Sequence, residues 1–408
     1  MRTVEEHQAI VLADVEPLEV IEVPLLEAVG QVLARDVVAP WPLPSFDNSS
    51  MDGYAVVAAD LAGASVDVPV VLNVLGDIAA GGDSSAVIAA GTAVRIMTGA
   101  PMPAGADAVV PVEATDGGAE RVTFTAPVSE GACIRRAGED VLTGDTVARA
   151  GDVVSERTIP VLASVGLGEL PVHRRPRVIV ISTGDELVEP GTPLTHGLIS
   201  DSNGYMLTAC AAAAGADAVR APRVRDEAEA FRAALDAAAA EADIIVTSGG
   251  VSMGEYDAVK AVLRASGEVE FAKVAMHPGM PQGSGHVGER RVPIITLPGN
   301  PVSSFISFEL FVRPVIRRML GFESLFRATE PAVALEEWHS SAMKAQYARA
   351  VLEVDADGVR RVRPVGGQGS HMMGGLAQAN ALVVVPVGAE RVEAGQTVTV
   401  IDLNRETP

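Results

Sequence analysis

Cysteine is nearly missing from this sequence. Cys133 and Cys210 are the only two in 408 residues, far apart and with no CxxC or other metal-ligand spacing. That excludes a disulfide framework and a zinc ribbon, and each thiol is expected to be buried and free. No run of about 18 apolar residues escapes interruption by charge or glycine, so no membrane span is expected. The opening MRTVEEHQAIVLADV carries acids early and lacks the apolar stretch of a signal peptide, which makes a cytoplasmic protein the expectation. Cations are scarce too: 31 Lys and Arg stand against 53 Asp and Glu, for a net charge of −22. That balance excludes a general nucleic-acid binder, which needs clustered cations against phosphate. It leaves room for a local pocket that takes an anionic small molecule. Aromatics are 4% of the chain, so the core must be built from small aliphatic residues at close backbone spacing. Walker A, HExxH, nucleophile-elbow and Cys/His-dyad patterns are also missing, which argues against a covalent-intermediate hydrolase.

What is present divides by texture. Residues 4–14 read as a short amphipathic helix, and LEVIEVPLLEAVGQVLARDVVAP as a strand followed by a helix ending near Ala34. From Ala55 to about Val128, short β runs are broken by Gly, Pro and Asp, which suggests a small all-β module. At Arg177 the style changes. RVIVIS, DAVRAPRV, DIIVTS, VEFAKVAM and VPIITLPG are apolar strands separated by helical stretches at about 203–214, 227–241, 257–266 and 301–319. Near-continuous Val/Ile runs alternating with helices are the pattern of a mostly parallel sheet covered on both faces. After Arg327 the chain returns to β structure. The fold class expected is therefore α/β and multidomain.

In an open parallel sheet, ligands bind at the carboxyl ends of the strands. That rule selects the loops TGDELVEPG, RDEAE, GGVSMGEYD and PGNPVSS, with HPGMPQGSG as a further Gly/Pro turn. Gly249 and Gly250 each fit a plain turn as well as a close ligand approach. Asp226 and Asp257 could each cap a helix. Together with Asp185, Glu186 and Glu255 they would set several carboxylates at one sheet edge, which suits Mg²⁺ and a phosphate-bearing ligand. Lys273 could reach the solvent or balance an anionic substrate. IRRAGED places Arg135 and Arg136 near Glu139 and Asp140, as an ion-pair patch or a binding lip.

SSMDGYAV, IAAGG, RIMTGAPMPAGADAVV, IRRAGED, STGDEL, SDSNGYML, SGGVSMGEYD, LPGNPVS and GQGSH occur in that order over about residues 40–375. In this the chain resembles the MoeA family of molybdopterin molybdenumtransferases, related to the E domain of gephyrin. The resemblance implies insertion of molybdenum from molybdate into adenylylated molybdopterin, release of AMP, Mg²⁺ dependence, and a homodimer with the site between protomers. It implies other molybdenum cofactor proteins as partners. It also implies a segmented layout: an N-terminal helix over 1–19 joining a three-layer α/β molybdopterin-binding domain at 172–325, a linker domain from 20–44 and 141–171, a β-rich module at 45–140, and a C-terminal β-barrel at 326–408.

Residue by residue, the resemblance sets Asp52, Thr98 and Asp140 on the β module and Glu186, Asp226 and Asp257 in an acidic, Mg²⁺-linked site. It gives Lys273 contact with the anionic substrate. Gly249, Gly250, Pro298, Asn300, Pro301, Ser303, Arg349 and Ser370 fall on the substrate-binding side, and Ser303, Arg349 and Ser370 match oxyanion-binding positions. Where the family reads K-P-G-K-P, this chain has His277-Pro278-Gly279-Met280-Pro281. Two positive charges of the pattern are gone, and a protonated His277 would restore one. That departure motivates an alternative, a molybdopterin-binding or scaffold paralogue impaired in molybdate insertion. A plain nucleotide hydrolase using the same acidic edge is a third reading.

Overall fold

A computed structural model describes residues 1–82, 85–250, 258–265 and 268–405. Its chain divides into two compact units, one of residues 23–29 and 35–170 and the other of 1–22, 30–34 and 171–408.

The first unit is built on a five-stranded sheet in the order Ala108–Pro111, Gly53–Val56, Thr92–Ile96, Val70–Ile78, Arg121–Phe124. Successive residues face opposite sides of a strand. Tyr54, Val56, Val110 and Phe124 therefore fill one core, and Ala55, Val94, Ile96 and Val109 fill a second. The short β runs expected from Ala55 to about Val128 correspond to strands of this sheet.

The second unit carries a six-stranded sheet in the order Asp217–Arg220, Arg177–Ser182, Ile244–Ser248, Val292–Leu297, Pro281–Val287, Val269–Lys273. The first four pair in parallel, and Pro281–Val287 runs antiparallel to both its neighbours. Both faces are covered. Val178, Val180, Ile244, Val246, Ile295 and Leu297 pack under helices Val4–Leu12, Ser202–Ala213 and Arg313–Met319. Ile179, Ile181, Ile245 and Ile294 pack under Ala228–Glu241 and Ala258–Ala265. Each such Val or Ile contributes about 1.5–3 kcal/mol on burial. Between helices Pro301–Ser307 and Arg313–Met319 the backbone widens into a π-turn, Phe308–Val312. Pro314 has no N–H to offer the carbonyl four residues back, and a wide turn accommodates that loss.

Five strands then close into a barrel. Ala345–Val354 pairs with Arg360–Pro364, which leads through Thr329–Ala334 and Thr397–Asp402 to Ala381–Val385, and that strand pairs with Ala345–Val354 again. Closure removes the sheet edges. The barrel is packed with Ala332, Ala334, Ala348, Ala350, Val362, Val383 and Val400. It shares a core with the α/β layers through Tyr347, Leu382 and Ile401. Among the described residues no helix is long and apolar enough to cross a membrane.

Two expectations are corrected. No helix ends near Ala34: strand Val20–Pro24 leads into turns, and Gly30 at φ +80° breaks any helical continuation. The PQGSG stretch is not a turn but most of strand Pro281–Val287. Its glycines are there for want of space: a Cβ on Gly285 would stand 2.7 Å from the Val269 Cα, and one on Gly283 3.0 Å from the Phe271 ring.

Candidate functional site

Parallel strands Arg177–Ser182, Ile244–Ser248 and Val292–Leu297 deliver three loops to one edge, and a buried amide ties them together. Asn203, in the first turn of helix Ser202–Ala213, donates from Nδ2 to Ser248 Oγ at 2.7 Å and to the Gly299 carbonyl at 2.7 Å. Its helix is capped by Asp201, which is 1% exposed and accepts the Gly204 N–H at 2.9 Å. Gly204 admits no larger residue, because a Cβ would stand 2.6 Å from Ser182 Oγ. Asn203 Oδ1 and Ser182 Oγ are buried without a hydrogen-bond partner. Polar atoms in that state cost free energy until a partner arrives. Asp201 and Asn203 were not singled out from sequence, although SDSNGYML contained them.

Gly249 and Gly250 follow their strand with φ of +97° and +77°. Gly249 N–H donates to the Leu297 carbonyl at 3.0 Å. A Cβ on Gly250 would stand 2.6 Å from Val259 Cβ, so sterics as well as backbone conformation call for glycine there. Next along the edge, Pro298 is buried, Gly299 and Asn300 are exposed, and Pro301 opens the helix that buries Ser303. Asn300 Nδ2 donates to Ser370 Oγ at 3.0 Å, and Val302 N–H donates to the Ser370 carbonyl at 3.1 Å. The barrel loop is thereby stapled to the carboxyl end of the sheet.

Arg349 holds that loop from beneath. Its guanidinium is wholly buried and donates to the carbonyls of Met372, Gly367 and Gly369, the last at 3.4 Å. The Arg349 N–H donates to Gln368 Oε1 at 3.1 Å, and Gln368 Nε2 donates to the Arg349 carbonyl at 3.2 Å. Among the described residues no carboxylate pairs with Arg349, and burial lowers its affinity for the proton. Its terminal nitrogens shape the loop that carries Ser370, and its Nε is buried without a hydrogen-bond partner.

Glu186 and Asp226 are exposed at the same edge. Glu186 lies against Gly184, whose φ is +149°, and Asp226 N–H approaches Asp185 Oδ1 at 3.4 Å. Among the described residues no group of three His, Cys, Asp or Glu side chains gathers as a metal site. Asp257 and Glu255 lie outside the described residues. Lys273, the last residue of strand Val269–Lys273, and His277 beyond it are exposed. His277 sits below the ordinary imidazole pKa, chiefly through burial of its ring and then through the charge of Lys344. That direction disfavours the protonated ring whose charge would stand in for a lost lysine.

In the other unit, Asp52 and Thr98 come together. Asp52 Oδ1 accepts from both the N–H and the hydroxyl of Thr98 at 2.7 Å each, and these bonds hold the carboxyl below its usual range. The glycine of MDGYAV is required because a Cβ on Gly53 would stand 2.9 Å from the Val110 carbonyl carbon. Asp140 is exposed and gives its N–H to the Leu43 carbonyl at 3.0 Å; it does not bond to the Asp52–Thr98 pair. In IRRAGED, Arg136 pairs with Asp47 at 2.7 Å and its N–H binds Glu139 at 2.8 Å.

Family models match nearly the whole chain: the MoeA N-terminal region (domain I and II) at residues 2–166, a probable molybdopterin binding domain at 179–318, and the MoeA C-terminal region (domain IV) at 331–403. The chain is 47% identical to molybdopterin molybdenumtransferase 2 of Mycobacterium tuberculosis, over 99% of this chain and 100% of that one. It is 36% identical to a molybdopterin molybdenumtransferase of Haemophilus influenzae, over 93% of each. A solved structure, the molybdopterin biosynthesis moea protein from Pyrococcus horikosii, matches with a TM-score of 0.85 at 30% identity over 98% of both chains. With its sheet, barrel and β module all accounted for in these matches, the chain belongs to the MoeA family.

Proposed function

We propose that this chain inserts molybdenum from molybdate into molybdopterin delivered in adenylylated form. Water cleaves the phosphoanhydride, AMP leaves, and the phosphate on the pterin side stays. The observation that carries the reading is the Asn203–Ser248–Gly299 junction, with Asn203 Oδ1 and Ser182 Oγ left unpartnered at the carboxyl edge. Relatives named molybdopterin molybdenumtransferase support the choice of ligand.

In this reading Gly249, Gly250 and the 298–303 loop cradle the pterin, Lys273 balances its phosphate, and Ser303 and Ser370 receive the oxyanion. Glu186 and Asp226, with Asp257, are the residues that would hold Mg²⁺. The two described acids suit an ion that binds through one or two carboxylates and completes its shell with phosphate oxygens and water. Bound there, it would neutralise the phosphoanhydride. In the same proposal Asp52, Thr98 and Asp140 are the functional residues of the β module. The domain layout inferred from sequence and a homodimer belong to the same proposal, as does a cytoplasmic location.

The test supplies adenylylated molybdopterin, molybdate and Mg²⁺ to the full chain. AMP release that depends on molybdate is expected, and Asp226→Ala should abolish most of it. A parent that binds molybdopterin but releases no AMP would sink the proposal. It would favour the scaffold alternative, to which the uncharged Met280 lends weight.

A further inference from the structure

Of the 31 Lys and Arg residues only three are lysine: Lys260, Lys273 and Lys344. Two of the three meet at one short ribbon. Past Lys273 the chain continues to Met276–His277, which pairs in parallel with Ala345–Gln346, Met276 beside Ala345 and His277 beside Gln346. Ala345 N–H donates to the Ala275 carbonyl at 2.9 Å. That register sets Lys344 next to Ala275, midway between Lys273 and His277. Exposure alternates along the stretch: Lys273 and His277 are exposed, while Val274 and Met276 are wholly buried. Lys273, Ala275 and His277 therefore share the open face. Lys344 is near enough for its charge to act on the His277 ring.

Among the described residues no carboxylate pairs with Lys273, Lys344 or His277. Like charges held together without a counter-ion repel, and an anion between them offsets that repulsion. The turn beyond His277 is fixed from inside. Gln282, 1% exposed, donates from Nε2 to the Gly279 carbonyl at 2.5 Å and to Ser307 Oγ at 2.6 Å, and its Oε1 has no partner. Farther along the strand that follows Lys344, buried Arg349 pins the Ser370 loop.

We propose that Lys344 is a specificity-determining cation that clamps a tetrahedral oxyanion with Lys273 on the open face of this ribbon. The inference rests on the molybdenum-insertion reading and names the residue that supplies the charge Met280 lacks. The oxyanion is either free molybdate or a phosphate of the substrate.

Calorimetry on the full chain, with molybdate alone and with inorganic phosphate alone, tests it. Lys344→Met and Lys273→Met should each weaken binding about ten-fold, the loss of one charge-assisted contact. Lys260→Met should leave binding unchanged, and Lys344→Arg should restore most of the affinity. Tighter binding of molybdate assigns the clamp to the free ion, and tighter binding of phosphate assigns it to the substrate. Unchanged affinity in Lys344→Met, or no binding of either anion by the parent, overturns the clamp. Should Lys344→Met fail to fold, Lys344→Gln keeps the apolar stem and asks the same question. Normal turnover with unchanged binding in the variant refutes the clamp alone. A parent that binds molybdate through Lys344 yet releases no AMP refutes the proposed function alone.

Discussion

Replacing Gly250 by alanine should show whether the floor of the site is built by steric exclusion. Gly250 stands at φ +77°, and an alanine in that left-handed conformation costs about 1–2 kcal/mol. The new methyl would also overlap Val259, whose Cβ lies 2.6 Å from the position it would take. Val259 is 1% exposed within a packed core, so it has little room to retreat. Overpacking of that kind costs about 1–3 kcal/mol. Gly250→Ala should therefore destabilise the α/β layers by about 2–5 kcal/mol. Trimming the neighbour with Val259→Ala removes its Cγ1, 2.3 Å from that position, and so eases the overlap in part, while the Cβ contact and the backbone strain remain. The double variant should be less destabilised than the two single effects add to, by about 1–3 kcal/mol. Hydrogen exchange of the Ile244–Ser248 amides is the readout, because this strand lies inside the sheet and opens with it. Strict additivity, or a single-variant effect below about 0.5 kcal/mol, would refute the steric argument.

Three further outcomes follow from the same geometry. His7 is fully buried edge-on to Phe311, with centroids 4.7 Å apart, and burial lowers its pKa from 6.5 to about 4. The folded value lies below the unfolded one, so the stability tied to neutral His7 is complete above about pH 6.5. It is lost as pH falls toward 4, to the extent of about 3 kcal/mol; Tm measured across that window should fall less steeply in His7→Phe. Arg349→Met takes the side-chain donors from the Met372 and Gly367 carbonyls, while Gly369 keeps the Met372 N–H, and should destabilise by about 2–4 kcal/mol and raise the KM for molybdate more than it lowers kcat. Asp52→Ala frees both donors of Thr98 on an exposed surface, and should cut turnover by about 10²-fold while Tm stays within about 2 °C.

The α/β layers were legible because their signals are local. Continuous Val/Ile runs mark strands covered on both faces, and the 3.6-residue period marks the helices between them. The expected helices at about 203–214 and 227–241 correspond to Ser202–Ala213 and Ala228–Glu241. Strand Pro281–Val287 escaped because its glycines answer to neighbours about 15 residues away, contacts that no local pattern encodes. The same limit applies at the site. Glycines and acids after strands point to an edge, whereas the tie made by Asn203 is a tertiary fact. Arg349 shows a third kind of gap: the resemblance sets it at an oxyanion-binding position, and only packing reveals that its two terminal nitrogens bond to the loop while its Nε is buried without a partner.

The pairing of helix Val4–Leu12 with the far end of the α/β layers bears on how the chain comes to be folded during synthesis. His7 packs on Phe311, some 300 residues later, and Arg2 bonds to the backbone of Lys273. On the ribosome the first helix therefore waits for most of the protein to emerge before its apolar side is covered, and a nine-residue helix is marginal in water until then. The unit of residues 23–29 and 35–170 contains its own partners and can complete itself in the meantime. An early segment held open beside a finished neighbour is where a chaperone would be expected to act on the nascent chain.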